Sequence, residues 1–179
     1  MIKFIFEEKT IEVPDCWNDV TVEHFINPYF LSGNSIELLS SLSGIPAVKI
    51  ANTTEDMAPH FEKTVAFIKK DFKGWQGEPK KIKLDLLGVS CVIPKNIELE
   101  SFGKKIMMGD AIAKHKFVYQ GIPEAIAIYL GEQIYPDDWY TRIDEIKEAV
   151  LKLPINKVYN IAAFFLILSK KFLKGGANL

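Results

Sequence analysis

Two segments of the chain alternate apolar and polar residues with the period of a β-strand, and each ends at a proline. The first runs from Ile2 to Pro14 and is interrupted by the polar residues 7–10. The second runs from Ile82 to Pro94, with Gly88 at its turn. Alternation with a period of two predicts a strand, and a proline cannot continue a central strand. The sequence therefore predicts two short β-hairpins of the same spacing, which begin 80 residues apart.

Helical spacing of apolar residues follows the first hairpin. Thr21 is a predicted helix N-cap, because its hydroxyl can accept a hydrogen bond from an exposed backbone N–H. A second helix has Ile36, Leu38, Leu39 and Leu42 at helical spacing and is predicted to end at Gly44 and Pro46. A third helix is predicted from the apolar residues Ala58, Phe61, Val65 and Ile68.

The chain after the second hairpin is also predicted to be helical. One helix, bent or broken near Gly109, is expected to have Phe102, Ile106, Ile112 and Phe117 on its apolar face. The next begins at Pro123, and the one after it is capped by Asp137 or Asp138. The last begins at Pro154, runs from Val158 to Leu173 and ends at Gly175-Gly176.

The two hairpins and the residues that follow them indicate an internal duplication. Val20–Phe25 aligns with Ile97–Phe102 after a gap of three residues, and the repeated Ile, Lys, Pro, Glu and Phe are identical across the two blocks. A period of about 80 residues is too long for a solenoid repeat, so each copy is expected to be a small domain. The predicted fold is α+β and helix-predominant, a tandem duplication of a β-hairpin followed by helices. Its predicted boundaries are a first copy at 1–73, a Gly/Pro-containing connector at 74–79 and a second copy at 80–179.

Composition excludes several classes of protein. With 179 residues, 48% hydrophobic and 25% charged, the chain is neither a disordered tail, a collagen-like repeat nor a disulfide scaffold. The formal net charge of −1 hides an asymmetry: residues 1–75 have 7 Lys against 11 acidic residues, a charge of −4, and residues 76–179 have a charge of +3. Arg142 is the one arginine among 22 basic residues, which argues against a nucleic-acid partner. Two domains of opposite charge are able to dock on each other or on further copies.

The chain shows no sign of export or of membrane insertion. Glu7 and Glu8 interrupt the apolar N-terminal stretch, so we predict no signal peptide. The longest apolar run, Ile161–Leu168, has 8 residues, far fewer than the ~20 of a membrane span. Cys16 and Cys91 are far apart and have no partners at metal-ligand spacing, which is typical of free thiols in a reducing compartment.

Catalytic and metal-binding motifs are missing from the sequence. The phosphate-binding loop, the dinucleotide fingerprint, HExxH and CxxC do not occur. His24, His60 and His115 fall in separate predicted helices, which gives no metal site. The pair Asp137-Asp138 beside Trp139 is better interpreted as a capping segment than as an acid–base pair. We therefore expect no catalytic residues, no cofactor and no metal, and a protein that is not an enzyme.

The last predicted helix is apolar around its whole circumference from Ile161 to Leu168. Such a helix is buried in a core, embedded in a membrane or shared with a partner. Because two small domains offer little depth to bury it, we predict a protein–protein interface there and keep core burial as the alternative. The flanking lysines keep binding to a membrane surface as a weaker alternative. The predicted interface residues are Ile161, Phe164, Phe165, Leu168 and Phe172.

The cap and turn residues that follow the first hairpin form a distinct sequence pattern. Val13-Pro14, Trp17, Asp19-Val20-Thr21 and Phe25 come first; Leu38–Pro46, Ile50, Thr53–Met57 and Phe61 follow. This layout, over residues 2–70, resembles that of small tailed-bacteriophage proteins, many of which are tail assembly chaperones and others minor virion proteins. The second copy keeps the opening from Ile82 to Phe102, but its Gly121-Ile122-Pro123 falls in a different helical context.

The resemblance implies a non-enzymatic role in phage tail assembly or in the virion, through contacts with other phage structural or assembly proteins or through self-association. As a chaperone, the protein would shield a tape-measure or tube segment until polymerisation; as a virion component, it would pack permanently against its neighbours. Its expected location is the host cytoplasm during assembly, with retention in the virion left open. A host-takeover or inhibitor protein is the alternative function.

Overall fold

The computed structural model describes residues 1–31, 34–53, 58–68, 82–93 and 100–161. The chain divides into two compact units, which are described separately below. Unit 1 comprises Met1–Lys73 with Pro154–Asn156, and unit 2 comprises Gly74–Leu153 with Lys157–Leu179. The described strands form two antiparallel hairpins and helices predominate, so the predicted helix-rich α+β class is confirmed.

A two-residue turn closes the hairpin of unit 1. Strands β1 (Ile2–Phe6) and β2 (Lys9–Val13) pair with Ile2 opposite Val13. Glu7 and Glu8 form the turn with φ values of 46° and 64°. Two left-handed residues in succession match the right-handed twist of the strands, although this conformation is more usual for Asn and Gly. The turn accounts for Glu7 and Glu8 in the polar interruption of the strand pattern, whereas Lys9 and Thr10 already belong to β2.

The hairpin of unit 2 repeats this register. Strands β3 (Ile82–Leu86) and β4 (Val89–Ile93) pair with Ile82 opposite Ile93, and Leu87 and Gly88 take the left-handed turn at φ 50° and 80°. Every pair lies 80 positions after its equivalent in unit 1. The helices that follow the hairpins differ in length, and residues 94–99 lie outside the described residues. The duplication therefore remains a prediction, supported by the hairpins.

Short helices follow the hairpin in unit 1. They are α1 (Val22–Ile26), a 3-10 turn at Pro28–Leu31, α2 (Ser35–Ser43), α3 (Ala47–Ala51) and α4 (Ala58–Ala66). The predicted end of α2 is confirmed, because Gly44 takes the left-handed conformation (φ 70°) and its N–H donates to the Ser40 carbonyl. Such a C-cap satisfies one of the carbonyls left free at a helix end.

Aromatic rings hold the core of unit 1 together. Phe4 of β1 meets Phe61 of α4 edge-on at 5.7 Å between ring centroids. Trp17 meets Phe30 and Phe67 in the same manner, at 6.0 and 5.8 Å. Edge-to-face pairs add about 0.5–1.5 kcal/mol each to the free energy gained by burying the rings.

Pro154–Asn156 are part of unit 1 although they come late in the chain. The Ile155 N–H donates to the Val20 carbonyl at 2.7 Å, and the Asn156 amide donates to Asn18 Oδ1, also at 2.7 Å. Ile155 is buried. The chain is helical from residue 155 to residue 161.

A capping box begins α1, as predicted for Thr21. Thr21 Oγ1 accepts the His24 N–H at 3.3 Å, and His24 Nδ1 accepts the Thr21 N–H at 3.2 Å. Histidine fills the place that Glu or Gln usually takes in this motif. Nδ1 accepts this bond only while it carries no proton. Burial lowers the pKa of His24, and the nearby Glu23 charge opposes that shift.

We expect the stability of unit 1 to fall on acidification because of His24. Because the pKa of His24 is lowered in the folded chain, the unfolded chain binds more protons than the folded chain just below pH ~6.5. The stabilisation of unit 1 by the neutral imidazole is therefore complete above that pH and is lost as the pH falls toward the folded pKa. Loss of the capping bond is worth about 1 kcal/mol. Hydrogen exchange and urea unfolding at about pH 7.5 and about pH 5 measure it.

His24→Gln is the matched control for this titration. A glutamine carbonyl accepts the same Thr21 N–H but does not titrate. The variant should therefore lose less stability than the wild type between the two pH values. Equal losses in both proteins would contradict the role assigned to His24.

Between residues 100 and 153, the structure of unit 2 has three helices, with one of them at the centre of the unit. They are α5 (Phe102–Ala113), α6 (Ile122–Ile134) and α7 (Ile143–Leu151), joined by 3-10 turns at Val118–Gly121 and Trp139–Thr141. Helix α6 packs against both α5 and α7 and contacts β4. It is buried around most of its circumference; Ile126 and Leu130 have 0% exposure. At its end, the Gln133 side chain accepts the Val92 N–H at 2.8 Å and donates to the Val92 carbonyl at 3.0 Å, extending the hydrogen bonding of β4.

Two helix predictions in unit 2 were wrong. Helix α5 is not broken at Gly109, because one glycine lowers helix stability without removing a hydrogen bond, and it ends at Ala113, before Phe117. Asp137 and Asp138 do not cap α7, which begins at Ile143 with Arg142 before it. Asp138 instead precedes the 3-10 turn, where its carbonyl accepts the Thr141 N–H and hydroxyl.

Candidate functional site

Helix α5 of unit 2 has an unusual distribution of side chains. Ser101 caps it, with Oγ accepting the Lys104 N–H at 3.3 Å. The side turned into the unit has Met108, Ala111 and Ile112, and also Lys104, which is 5% exposed. The side turned outward has Phe102 at 78% exposure and Ile106 at 47%. The helix thus buries a lysine and exposes a phenylalanine, the reverse of ordinary burial preferences.

Oxygen atoms surround the buried ammonium of Lys104. Its Nζ lies 3.0 Å from Glu132 Oε2, 3.3 Å from Glu100 Oε2 and 3.4 Å from the Tyr129 carbonyl oxygen. It also lies 5.5 Å from the centroid of the Trp139 ring, within range of a cation–π interaction. An ammonium has three N–H donors, and three oxygens are placed to accept them. The cluster therefore fixes α5 against α6 and has no donor left for a substrate.

Tyr129 contributes a further polar group next to this cluster. Burial, and secondarily the Glu100 charge, raises the pKa of its phenol well above the usual range. The phenol is therefore protonated throughout the physiological range and does not act as a base. A perturbed pKa often marks a functional site, but structural ion pairs have the same effect. With Lys104 already satisfied, we interpret this cluster as structural.

The outward face of α5 has the spacing of a helix–helix contact. Phe102, Ile106, Gly109 and Ala113 are separated by four, three and four residues. At 100° per residue they fall within an arc of about 60°. We call these four residues the α5 seam. Spacing by threes and fours is that of the a and d positions with which two helices interlock.

Open space surrounds the seam on the side of its glycine. A side-chain carbon added at Gly109 meets no described atom within 4 Å, and the same holds at Gly103. Full burial of one Phe or Ile side chain is worth about 1.5–3 kcal/mol, so covering the seam would release a considerable part of that free energy. The α5 seam is the strongest candidate for a contact surface among the described residues.

Unit 1 has a second exposed surface between its hairpin and α3. A groove of about 410 Å³ is lined by Ile5, Phe6, Glu7, Val48, Lys49, Asn52 and Thr53. Ile5 and Val48 are exposed, but Lys49 Nζ forms an ion pair with Glu7 Oε2. The groove is shallow and wide open to solvent, and a polar pair lies across it. It is a poorer contact surface than the α5 seam.

Asp15, Cys16 and Asp19 of unit 1 bring three potential ligand atoms within 4.8 Å of one another. The Met1 ammonium donates to Asp15 Oδ1 at 2.8 Å and to Asp19 Oδ2 at 2.9 Å. These two hydrogen bonds raise the pKa of the ammonium to about 10, and the ammonium lowers the pKa of Asp19. The group is therefore a salt bridge in which one ammonium offsets one of two carboxylate charges.

The interface predicted on the last helix lies mostly outside the described residues. Ile161 is fully buried within the chain. Phe164, Phe165, Leu168 and Phe172 lie outside the described residues. This interface remains a prediction. Among the helices that the structure does describe, none is long and apolar enough to span a membrane.

The apolar pattern of the sequence does not single out the α5 seam. The pattern groups Phe102 and Ile106 with Ile112 on one apolar face, but at 100° per residue Ile112 lies about 80° from Phe102 and about 120° from Ile106. The sequence offers only part of the signal, the pair Glu100 and Lys104 at i,i+4 spacing, because Glu132 is 28 positions away and reaches Lys104 only in the folded unit. A lysine drawn inward by two carboxylates turns the opposite side of the helix, with Phe102 and Ile106, toward solvent.

Comparison with known proteins adds no relative to this description. No protein-family model, no curated protein and no solved structure matches the chain.

Proposed function

We propose that the protein acts through protein–protein contacts, without catalysis, in the tail assembly or the virion of a bacteriophage. The observation that carries the proposal is the α5 seam, which presents Phe102 at 78% exposure on a rigid helix. Exposed aromatic residues on a rigid element are typical of contact surfaces. The resemblance of residues 2–70 to small tail proteins supplies the phage setting.

The internal ion-pair cluster supports the same proposal. Lys104 joins α5 to α6 through Glu132 and the Tyr129 carbonyl. This attachment restricts rotation of α5 about its axis and so keeps the seam turned outward. A contact surface held in its binding orientation loses less conformational entropy when a partner docks.

Replacement of the seam in the encoding phage tests the function. Phe102→Glu introduces a charge into the contact surface, and we expect particles without complete tails in electron micrographs. Tyr140→Glu is the matched control, because Tyr140 is an exposed aromatic residue of the same unit outside α5. Normal tails with Phe102→Glu would contradict the proposal.

Mass spectrometry of purified particles separates the two forms of the proposal. A virion component is present at a fixed copy number, whereas an assembly chaperone is absent. The neighbouring genes give an independent test: tail tube or tape-measure genes agree with the proposal, and a replication cluster argues against it.

A further inference from the structure

The α5 seam is complementary to itself in the antiparallel direction. Its two large residues, Phe102 and Ile106, lie in the first half of the helix, and its two small residues, Gly109 and Ala113, lie in the second half. If two α5 helices run antiparallel with the two-fold axis between Met107 and Met108, Phe102 faces the partner's Ala113 and Ile106 faces the partner's Gly109. Each large side chain then fits over a small one.

This arrangement satisfies the requirement of a two-fold interface. In such an interface residue i contacts j, and j contacts i, so that one surface serves both subunits. Where two antiparallel helices interlock, each layer pairs an a position of one helix with a d position of the other. The four seam residues give two such layers on each side of the axis. The absence of described atoms around Gly109 leaves space for the partner's Ile106 side chain.

We propose that the α5 seam binds a second copy of this chain, forming a two-fold dimer through antiparallel α5 helices. The inference rests on the proposed function only in that both assign the seam to protein contacts. Twelve residues of helix extend for about 18 Å, so the contact is smaller than the 1,200–2,000 Å² that is usual for stable complexes. The dimer is accordingly weak, and we expect it to form only toward the upper end of the micromolar concentration range.

Sedimentation equilibrium of the purified full chain, from about 5 to about 500 µM, tests the dimer. Gly109→Glu places a charged side chain opposite the partner's Ile106, and we expect dimer affinity to fall at least about tenfold. Gly103→Glu is the matched control. It makes the same substitution on the same helix, about 90° away from the seam, and should leave the affinity within about twofold.

Both substitutions replace a glycine that has open space around it, and glutamate is the better helix former, so neither should impair folding. Thermal unfolding at about 5 µM checks this directly. A wild-type chain that stays monomeric over the whole concentration range overturns the dimer. So does a Gly109→Glu variant that loses monomer stability, because that loss would mean that the chain's own residues cover the seam.

Disulfide trapping tests the antiparallel register. Chains with Ile106→Cys mixed with chains with Gly109→Cys should form the mixed disulfide faster than either forms a disulfide with itself. The background substitution Cys16→Ser removes a partly exposed thiol, and buried Cys91 is retained. Preferential trapping of Ile106→Cys with itself would indicate parallel helices and overturn the inference.

Loss of tails with Phe102→Glu in the phage, together with a monomeric chain in solution, would leave the proposed function standing and remove only the dimer.

Discussion

Replacing Gly121 with alanine is expected to destabilise unit 2 by about 3 kcal/mol. A Cβ at this position would lie 2.4 Å from the Ala111 carbonyl oxygen and 2.6 Å from the Ile112 Cα. Both are backbone atoms of α5, so the overlap is relieved only if the junction between α5 and α6 opens. The substitution therefore affects the contact that forms the core of the unit.

Gly109→Ala is the control for this effect, because Gly109 also lies in unit 2 but has no described atom within 4 Å of an added Cβ. There the loss of glycine flexibility should stabilise the monomer by about 0.5–1 kcal/mol. Denaturant unfolding combined with hydrogen exchange in residues 100–153 measures both variants at low concentration, and residues 1–53 serve as an internal reference. The same sign of effect for the two glycines would contradict the close approach at Gly121.

Replacing Ile126 with alanine is expected to cost about 4 kcal/mol in the free energy of unfolding of unit 2. Ile126 has 0% exposure on α6, the helix that packs against both α5 and α7. Removing three carbons from this position loses their burial and leaves a cavity that two neighbouring helices cannot close without moving. Denaturant unfolding combined with hydrogen exchange in residues 100–153 measures this loss.

Ile106→Ala gives the matched comparison, since it removes the same three carbons from the exposed seam. Its effect on the monomer should stay within about 0.5 kcal/mol, because alanine is also the better helix former. In the proposed dimer, however, it removes one of the two large seam residues and should weaken association. A large loss of monomer stability with Ile106→Ala would show that the seam is part of the core.

Local sequence signals were sufficient for the hairpins and several helix ends. Alternating apolar and polar residues that end at a proline predict both hairpins, because a period of two and the missing N–H of proline depend only on a few neighbouring residues. The cap at Thr21 and the left-handed stop at Gly44 were found for the same reason. Helix α5 was extended too far, because a single glycine is a weak signal and Phe117 continued the apolar pattern.

Helix α6 and the last predicted helix share the same apolar signal in the sequence. A helix that is apolar around its circumference is buried or shared, and this rule directed the interface prediction to Ile161–Leu168. Residues 125–131 of α6 meet the same description and are buried at the centre of unit 2. Periodicity cannot say which of two such helices becomes central, since that depends on which elements pack against it.

The sequence by itself determined the local elements of this protein: two hairpins with equal registers, the residues that cap and end the helices, and a helix-rich α+β composition. These depend on backbone geometry and on side chains within a few positions of one another. The tertiary structure decided which side of α5 faces outward. Lys104 reaches Glu132 and the Tyr129 carbonyl, 28 and 25 positions away. Only once the fold had brought those acceptors to the inner side of α5 could the lysine be buried there, leaving Phe102 and Ile106 exposed on the opposite side.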